Sequence, residues 1–183
     1  MRELILRDDD CFELTQSTRR FLELTKRIPV MLAVIPGSIK FNLVELIKKY
    51  PNVTVVQHGW KHINSADKDK PKFEKFDRLD IQTGKSMLES LFKKQFYSCF
   101  VPPWNKFDGD YKLLYDMGFK KVSDSKNVID LMKVKDNVVE EIKVPENDTI
   151  MTHHTHKNWD DKCWLCLEVL IEQENIKWKT IKS

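Results

Sequence analysis

The chain has 183 residues, the length of one ordinary domain and enough to bury a substantial core, so a single domain over 1–183 is expected. Lysine and arginine number 31 against 28 acidic residues, interspersed except in ADKDKPKFEKFDR at 66–78, a balance that leaves no electrostatic footprint for nucleic acid. The longest apolar stretch, around PVMLAVIP, is far too short to span a bilayer and no basic region with an apolar core opens the chain, so a soluble, cytoplasmic protein without a membrane partner is expected.

Short β-branched runs alternate with longer amphipathic segments, the pattern of βα units around a parallel sheet. In chain order the expected strands are ELILR (3–7), PVMLAVI (29–35), VTVVQ (53–57), YSCFV (97–101), FKKVS (119–123), VVEEIKV (138–144) and DTIMTH (148–153). Helical patterns lie between them at 14–27, 41–50, 79–94, 109–118 and 161–175. The first carries Leu14, Thr18, Phe21, Leu22 and Thr25 on one face, as a helix packed on a sheet should. A small α/β barrel is the leading architecture, with a doubly wound open sheet as the alternative. Both place functional residues at the carboxyl ends of the strands.

The first strand ends in RDDD, residues 7–10, and three adjacent carboxylates repel one another unless cations or donors offset them. A solvated turn capping the next helix is the plainer reading. HGWKH follows the third strand, and the fourth ends in FVPPWNKF, where consecutive prolines stiffen the backbone beside Trp104. The loop at 64–78, charged and nearly devoid of aliphatics, reads as a lid or as a solvated loop.

All five histidines lie in HGWKH (58–62) or HHTH (153–156), each directly after an expected strand. Histidines used only as core or surface residues should scatter, so this grouping argues for a shared chemical task. Two imidazoles and a carboxylate suit a borderline divalent ion with one position left open. On one helical turn His58 and His62 would face the same way and reach one ion without strain, with a third ligand from the RDDD end. The four cysteines, Cys11, Cys99, Cys163 and Cys166, read as buried reduced thiols; the last two have zinc-knuckle spacing but lack a second close pair.

These residues resemble the polysaccharide deacetylase (NodB-homology) family, carbohydrate esterase family 4. The resemblance implies a small distorted (β/α)7 barrel. It also implies a metal-dependent hydrolase that removes an N- or O-acetyl group from a carbohydrate or related small molecule. RDDD matches the first motif with Asp9 as base and Asp10 as metal ligand, and HGWKH the second with His58 and His62 as metal ligands. FVPPWN resembles the third, and IMTH the fifth with His153 as the acid and His154 as its rival. The ion implied is zinc, with cobalt, nickel or manganese as alternatives. Trp60, Pro103, Trp104 and Asn105 would line the substrate groove, with Trp159 a weaker candidate.

The chain departs from the family pattern in several places. Val101 stands where an arginine usually holds the catalytic aspartate, so Arg7, Lys106 or Arg78 would have to substitute. Cys11 and Asn105 replace usual glycines, and no fourth motif is visible. QHGWKHIN with PPWN points to a divergent branch. The missing arginine favours a competing reading, a non-catalytic carbohydrate- or metabolite-binding barrel that keeps the metal.

Overall fold

The structure, a computed structural model, describes residues 2–107, 109–124, 128–130, 149–155 and 159–182. It is an α/β fold of the distorted (β/α)7-barrel type, built on β1 (Arg2–Cys11), β2 (Val30–Val34), β3 (Val53–His58), β4 (Phe96–Val101), β5 (Lys121–Ser123), β6 (Val128–Asp130), β7 (Thr149–Thr152) and β8 (Ile176–Trp178). The helices are α1 (Gln16–Thr25), α2 (Phe41–Ile47), α3 (Arg78–Phe92), α4 (Tyr111–Asp116) and α5 (Asp161–Ile171).

The strands run in the order β6-β5-β4-β3-β2-β1-β7, with β8 beside the start of β1. From β5 through β1 to β7 every pairing is parallel, and the order is sequential. A doubly wound sheet would reverse direction partway across; one sense of winding curls the sheet and leaves helices on its outer face. β6 is antiparallel to β5, and neither β6 nor β8 was expected from the sequence. Both have only three residues, too short to show a period. The expected strand at 138–144 lies outside the described residues.

Strand alternation divides the core into two sides. On the outer side, Leu6 of β1 and Leu32 and Val34 of β2 pack against Phe21 and Leu22 of α1, Leu43 and Val44 of α2, Leu88 of α3 and Trp164 of α5. On the inner side, Met31, Ala33, Val56, Cys99 and Val101 form a smaller apolar cluster, joined by Ile181 from the C-terminal segment. The exposed helical faces carry much of the charge. No helix among the described residues is long and apolar enough to cross a membrane.

β1 differs most from expectation. It continues through Cys11, so the acidic cluster lies within the strand and not in a turn after it. A register shift against β2 between Asp8 and Cys11 marks a bulge at that point. Because successive residues of a strand face opposite sides, Arg7 and Asp9 point into the barrel and Asp8 toward the helices.

Candidate metal and hydrolytic centre

The carboxyl ends of β1, β3, β4 and β7 surround a cavity of about 420 Å³. Asp9, Asp10, His58, His62, Trp104, Asn105, Met151, Thr152, His153 and Trp159 line it. Four non-glycine residues of this lining have positive φ: Asp10 (62°), His62 (58°), Trp104 (51°) and Asn105 (56°). Such conformations cost about 1–3 kcal/mol each and persist where surrounding contacts over-determine them.

Asp10 and the two histidines converge. Oδ1 of Asp10 is 3.2 Å from Nε2 of His58 and 3.0 Å from Nε2 of His62, and among the described residues this trio is the group of His, Cys, Asp or Glu ligand atoms close enough to hold an ion. Nδ1 of buried His58 donates to the Val101 carbonyl at 2.9 Å, which fixes the ring and turns Nε2 toward Asp10. A carboxylate oxygen facing two such nitrogens requires a proton or a cation between them. Zinc–ligand bonds of about 2.0–2.1 Å place tetrahedral ligand atoms about 3.4 Å apart, near the separations seen here. The donor set therefore fits a divalent ion.

Charge is correspondingly coupled. Burial alone would raise the Asp10 carboxyl, but the hydrogen bond to His58 and the nearby charges of His58, His62 and His153 lower it to about 2. Burial works against charge on His58, yet the hydrogen bond to Asp10 and the Asp9 and Asp10 carboxylates raise its pKa above 6.5. Burial and neighbouring His58 lower that of His62.

The His-x3-His stretch is not the helical turn expected from its spacing. His58 ends β3, and a bend through Gly59 (φ 56°) brings His62 back in a left-handed conformation. Glu74 holds that bend: its carboxylate accepts from the backbone N–H groups of Trp60 at 2.9 Å and Lys61 at 2.8 Å. A Cβ on Gly59 would lie 2.0 Å from Glu74 Oε2, so glycine is required there both for its φ and for this approach. Glu74 belongs to the 64–78 loop, and no spacing or run had distinguished it from the other charges around it.

Asp9 sits beside the trio, 2% exposed, with Oδ2 accepting from Arg7 at 2.7 Å and Oδ1 without a hydrogen-bond partner. Arg7 is fully buried and also donates to the carbonyls of Ser123 and Asp124, the Ser123 hydroxyl and Oδ1 of Asn105. Of the three cations named from the sequence, Arg7 holds the aspartate. It reaches Asp9 from two positions earlier on the same strand, which leaves Val101 free to join the inner apolar cluster.

His153 lines the cavity, with Nε2 3.8 Å from Asp9 Oδ2 and 4.0 Å from Asp10 Oδ2. His154 points the other way and is buried against α1, so it does not share the cavity. Trp104 packs on His62 with ring centroids 4.2 Å apart, and Trp159, edge-on to Trp164 at 5.5 Å, supplies a second apolar wall.

Two expected groove residues sit elsewhere. Trp60 lines a separate groove of about 380 Å³ with Ile39, Met87 and Leu91, because the bend turns it away from the cavity. Pro103 is buried beneath Gly59 and supports the bend. Cys11 and Cys99 are buried free thiols, whereas Cys166 is exposed on α5, contrary to the reading of all four as buried.

No family model matches the sequence, and none of the curated proteins matches it. Solved structures do match. A family 4 carbohydrate esterase from Bacillus anthracis superposes with a TM-score of 0.65 at 15% identity, over 99% of this chain and 81% of that one. The chitin deacetylase of Colletotrichum lindemuthianum gives 0.64 at 14%, over 98% and 85%. A mutant of a CE4-family pseudoenzyme with restored enzymatic activity gives 0.57 at 13%, over 99% and 66%. The backbone of this chain, with its parallel sheet curled around the Asp-His-His trio, thus has the fold of family 4 carbohydrate esterases and chitin deacetylases, the fold implied by the sequence resemblance.

Proposed function

We propose that the cavity hydrolyses an acetyl group, N- or O-linked, on a sugar or related small molecule. The observation that carries this reading is the convergence of Asp10, His58 and His62 beside a carboxylate, Asp9, that is buried, braced by Arg7 and unpartnered at Oδ1. A divalent ion on the trio, zinc first and cobalt, nickel or manganese as alternatives, supplies Lewis acidity to the acyl oxygen and to the attacking water. Asp9 Oδ1 takes a proton from that water as its oxygen bonds to the acyl carbon. The C–N or C–O bond then breaks, and the departing amine or alkoxide takes the proton of His153 Nε2. Acetic acid and the deacetylated product leave, the acid giving its proton to solvent as acetate, and the proton on Asp9 passes to His153, which restores both groups. Trp104 and Trp159 offer flat apolar faces for a sugar ring.

Likeness of fold does not by itself separate an enzyme from a binding barrel, since a pseudoenzyme shares it. The departure at Val101 was the feature favouring a non-catalytic barrel; the Arg7–Asp9 pair supports the hydrolytic reading by supplying a cation beside Asp9 from another position.

Acetate release from a panel of N- and O-acetylated sugars, with elemental analysis of the same preparations, tests the reading. His58→Ala and Asp10→Ala are expected to lower metal stoichiometry. Asp9→Ala and His153→Ala are expected to keep the metal and lose about 10² to 10⁴ in turnover, the usual worth of a general base or acid. Undiminished metal in His58→Ala, or undiminished turnover in Asp9→Ala, would overturn it.

A further inference from the structure

Asp8, the first of the three adjacent aspartates, does not enter the cavity and takes no part in the reaction above. The pleat turns it to the helix side of the sheet, where it is fully buried behind the strand that carries the reacting groups. A carboxylate in that apolar layer is destabilising unless donors surround it. Three do: Thr152 Oγ1 at 2.7 Å, the backbone N–H of His154 at 3.2 Å and His154 Nδ1 at 2.6 Å. The far side of the His154 ring continues the chain. Its Nε2 lies 3.2 Å from Oγ1 of Thr18, the residue that closes the capping box of α1, and its face stacks on Phe21 with centroids 4.9 Å apart and planes inclined by 14°.

One carboxylate thus grips both residues flanking His153. The His153 side chain is 39% exposed, and its approaches to Asp9 and Asp10 at 3.8 and 4.0 Å exceed hydrogen-bonding reach. Those two contacts do not hold the ring; its backbone neighbours are what is fastened. β7 spans only Thr149–Thr152, so the strand ends just before the residue whose placement matters.

We infer that the Asp8–His154–Thr18 chain is a positioning device for His153, tying the end of β7 to β1 and to the start of α1 so that the proton-donating ring stands over the cavity. The inference rests on the proposed hydrolytic reading, in which His153 protonates the leaving group. Asp8, His154 and Thr18 do not line the cavity and act through the backbone of residues 152–154. Misplacement by about 1 Å is enough to cost a large factor in rate when geometry is the contribution.

The test compares two substrates. Di-N-acetylchitobiose has an amine leaving group that must gain a proton, whereas 4-nitrophenyl acetate releases a phenolate that departs without one. Asp8→Asn keeps the shape of the side chain but loses acceptor capacity toward Nδ1 of His154. It is expected to lower kcat for the amide by about 10- to 100-fold, a part of what a lost acid costs, with KM and aryl acetate turnover each within about threefold and zinc stoichiometry unchanged. Thr18→Val, isosteric and remote from the cavity, is expected to give the same selective loss at smaller size, and it decides the matter should Asp8→Asn fail to fold. An equal loss on both substrates would mean general damage to the fold and overturn the inference, as would an undiminished amide rate.

Should the parent turn over neither substrate, the hydrolytic reading fails separately. The positioning claim is then decided by imidazole ¹⁵N spectra of the zinc-loaded proteins. The His153 ring resonances are expected to move in Asp8→Asn and Thr18→Val while those of His58 and His62 stay, and an unmoved His153 would overturn the claim.

Discussion

Replacing Arg7 by methionine tests the arrangement most directly, because it removes the cation that offsets Asp9 while roughly filling its volume. The ion pair is buried on both sides, with side-chain exposures of 0% and 2% at 2.7 Å. Removing one partner of such a pair typically costs about 3–5 kcal/mol, because the remaining charge is left uncompensated. Here Oδ1 of Asp9 has no other partner, and the carbonyls of Ser123 and Asp124 also lose their guanidinium donor. Asp9 borders the cavity, so water entering there recovers part of the loss and the lower end, about 3 kcal/mol, is expected. At about 2–4 °C per kcal/mol for a chain of this size, the melting temperature should fall by about 6–12 °C. Urea and thermal unfolding followed by circular dichroism measure this. The double variant Arg7→Met with Asp9→Asn removes the stranded charge and should regain at least about half of the loss. A single-variant loss below about 1 kcal/mol, or a double variant no more stable than the single, would refute the reasoning.

Other consequences are measurable on the same protein. Because Asp10 raises the pKa of His58, metal must displace a proton from Nε2; affinity should therefore rise about tenfold per pH unit below that raised value and level off above it, which zinc titrations in buffers of different ionisation enthalpy can follow. The signs for the metal-free protein are opposite for the two partners. The elevated His58 contributes stability below 6.5 that is lost as pH rises through its folded value, and the depressed Asp10 contributes stability above 3.8 that is lost as pH falls toward about 2. His62, whose pKa is lowered, works in the opposite sense over the same range, so the His58 contribution is read as the difference in denaturant midpoints across pH between the metal-free parent and His58→Gln. Glu74→Ala removes the acceptor that shapes the bend before His62 and is expected to weaken zinc binding about 10-fold or more, as loss of supporting groups around a metal site does. Equilibrium dialysis showing unchanged affinity would exclude that role.

Much of the frame was legible in the chain. β2 is a continuous apolar run and β3 is buried along its whole length because a parallel sheet buries both faces, and their bounds lie within a residue of the expected ones. The grouping of histidines after strands located the cavity edge for the same reason: in parallel strands every carboxyl end lies on one side. Spacing was a weaker guide. The i, i+4 interval suggested a helical turn between His58 and His62, yet the structure uses a left-handed bend closed by Glu74, a residue twelve positions beyond His62 in the sequence.

The sequence by itself determined the order of β1 to β5, β7 and the five helices, and the strand ends at which the carboxylates and imidazoles gather, since these follow from local periodicity and a parallel βα pattern. Only the tertiary structure decided how three adjacent aspartates divide their work: Asp8 bonds to His154 behind the sheet, Asp9 to Arg7 inside it, and Asp10 turns at a bulge to meet His58 and His62. It likewise sent Trp60 to another groove and left Val101 in the inner apolar cluster while Arg7 meets Asp9. These outcomes depend on which partner each side chain meets across strands and helices far apart in the chain. Adjacent residues of identical chemistry carry no local signal of that; the pleat, the bulge and the packing of α1 and β7 supply it.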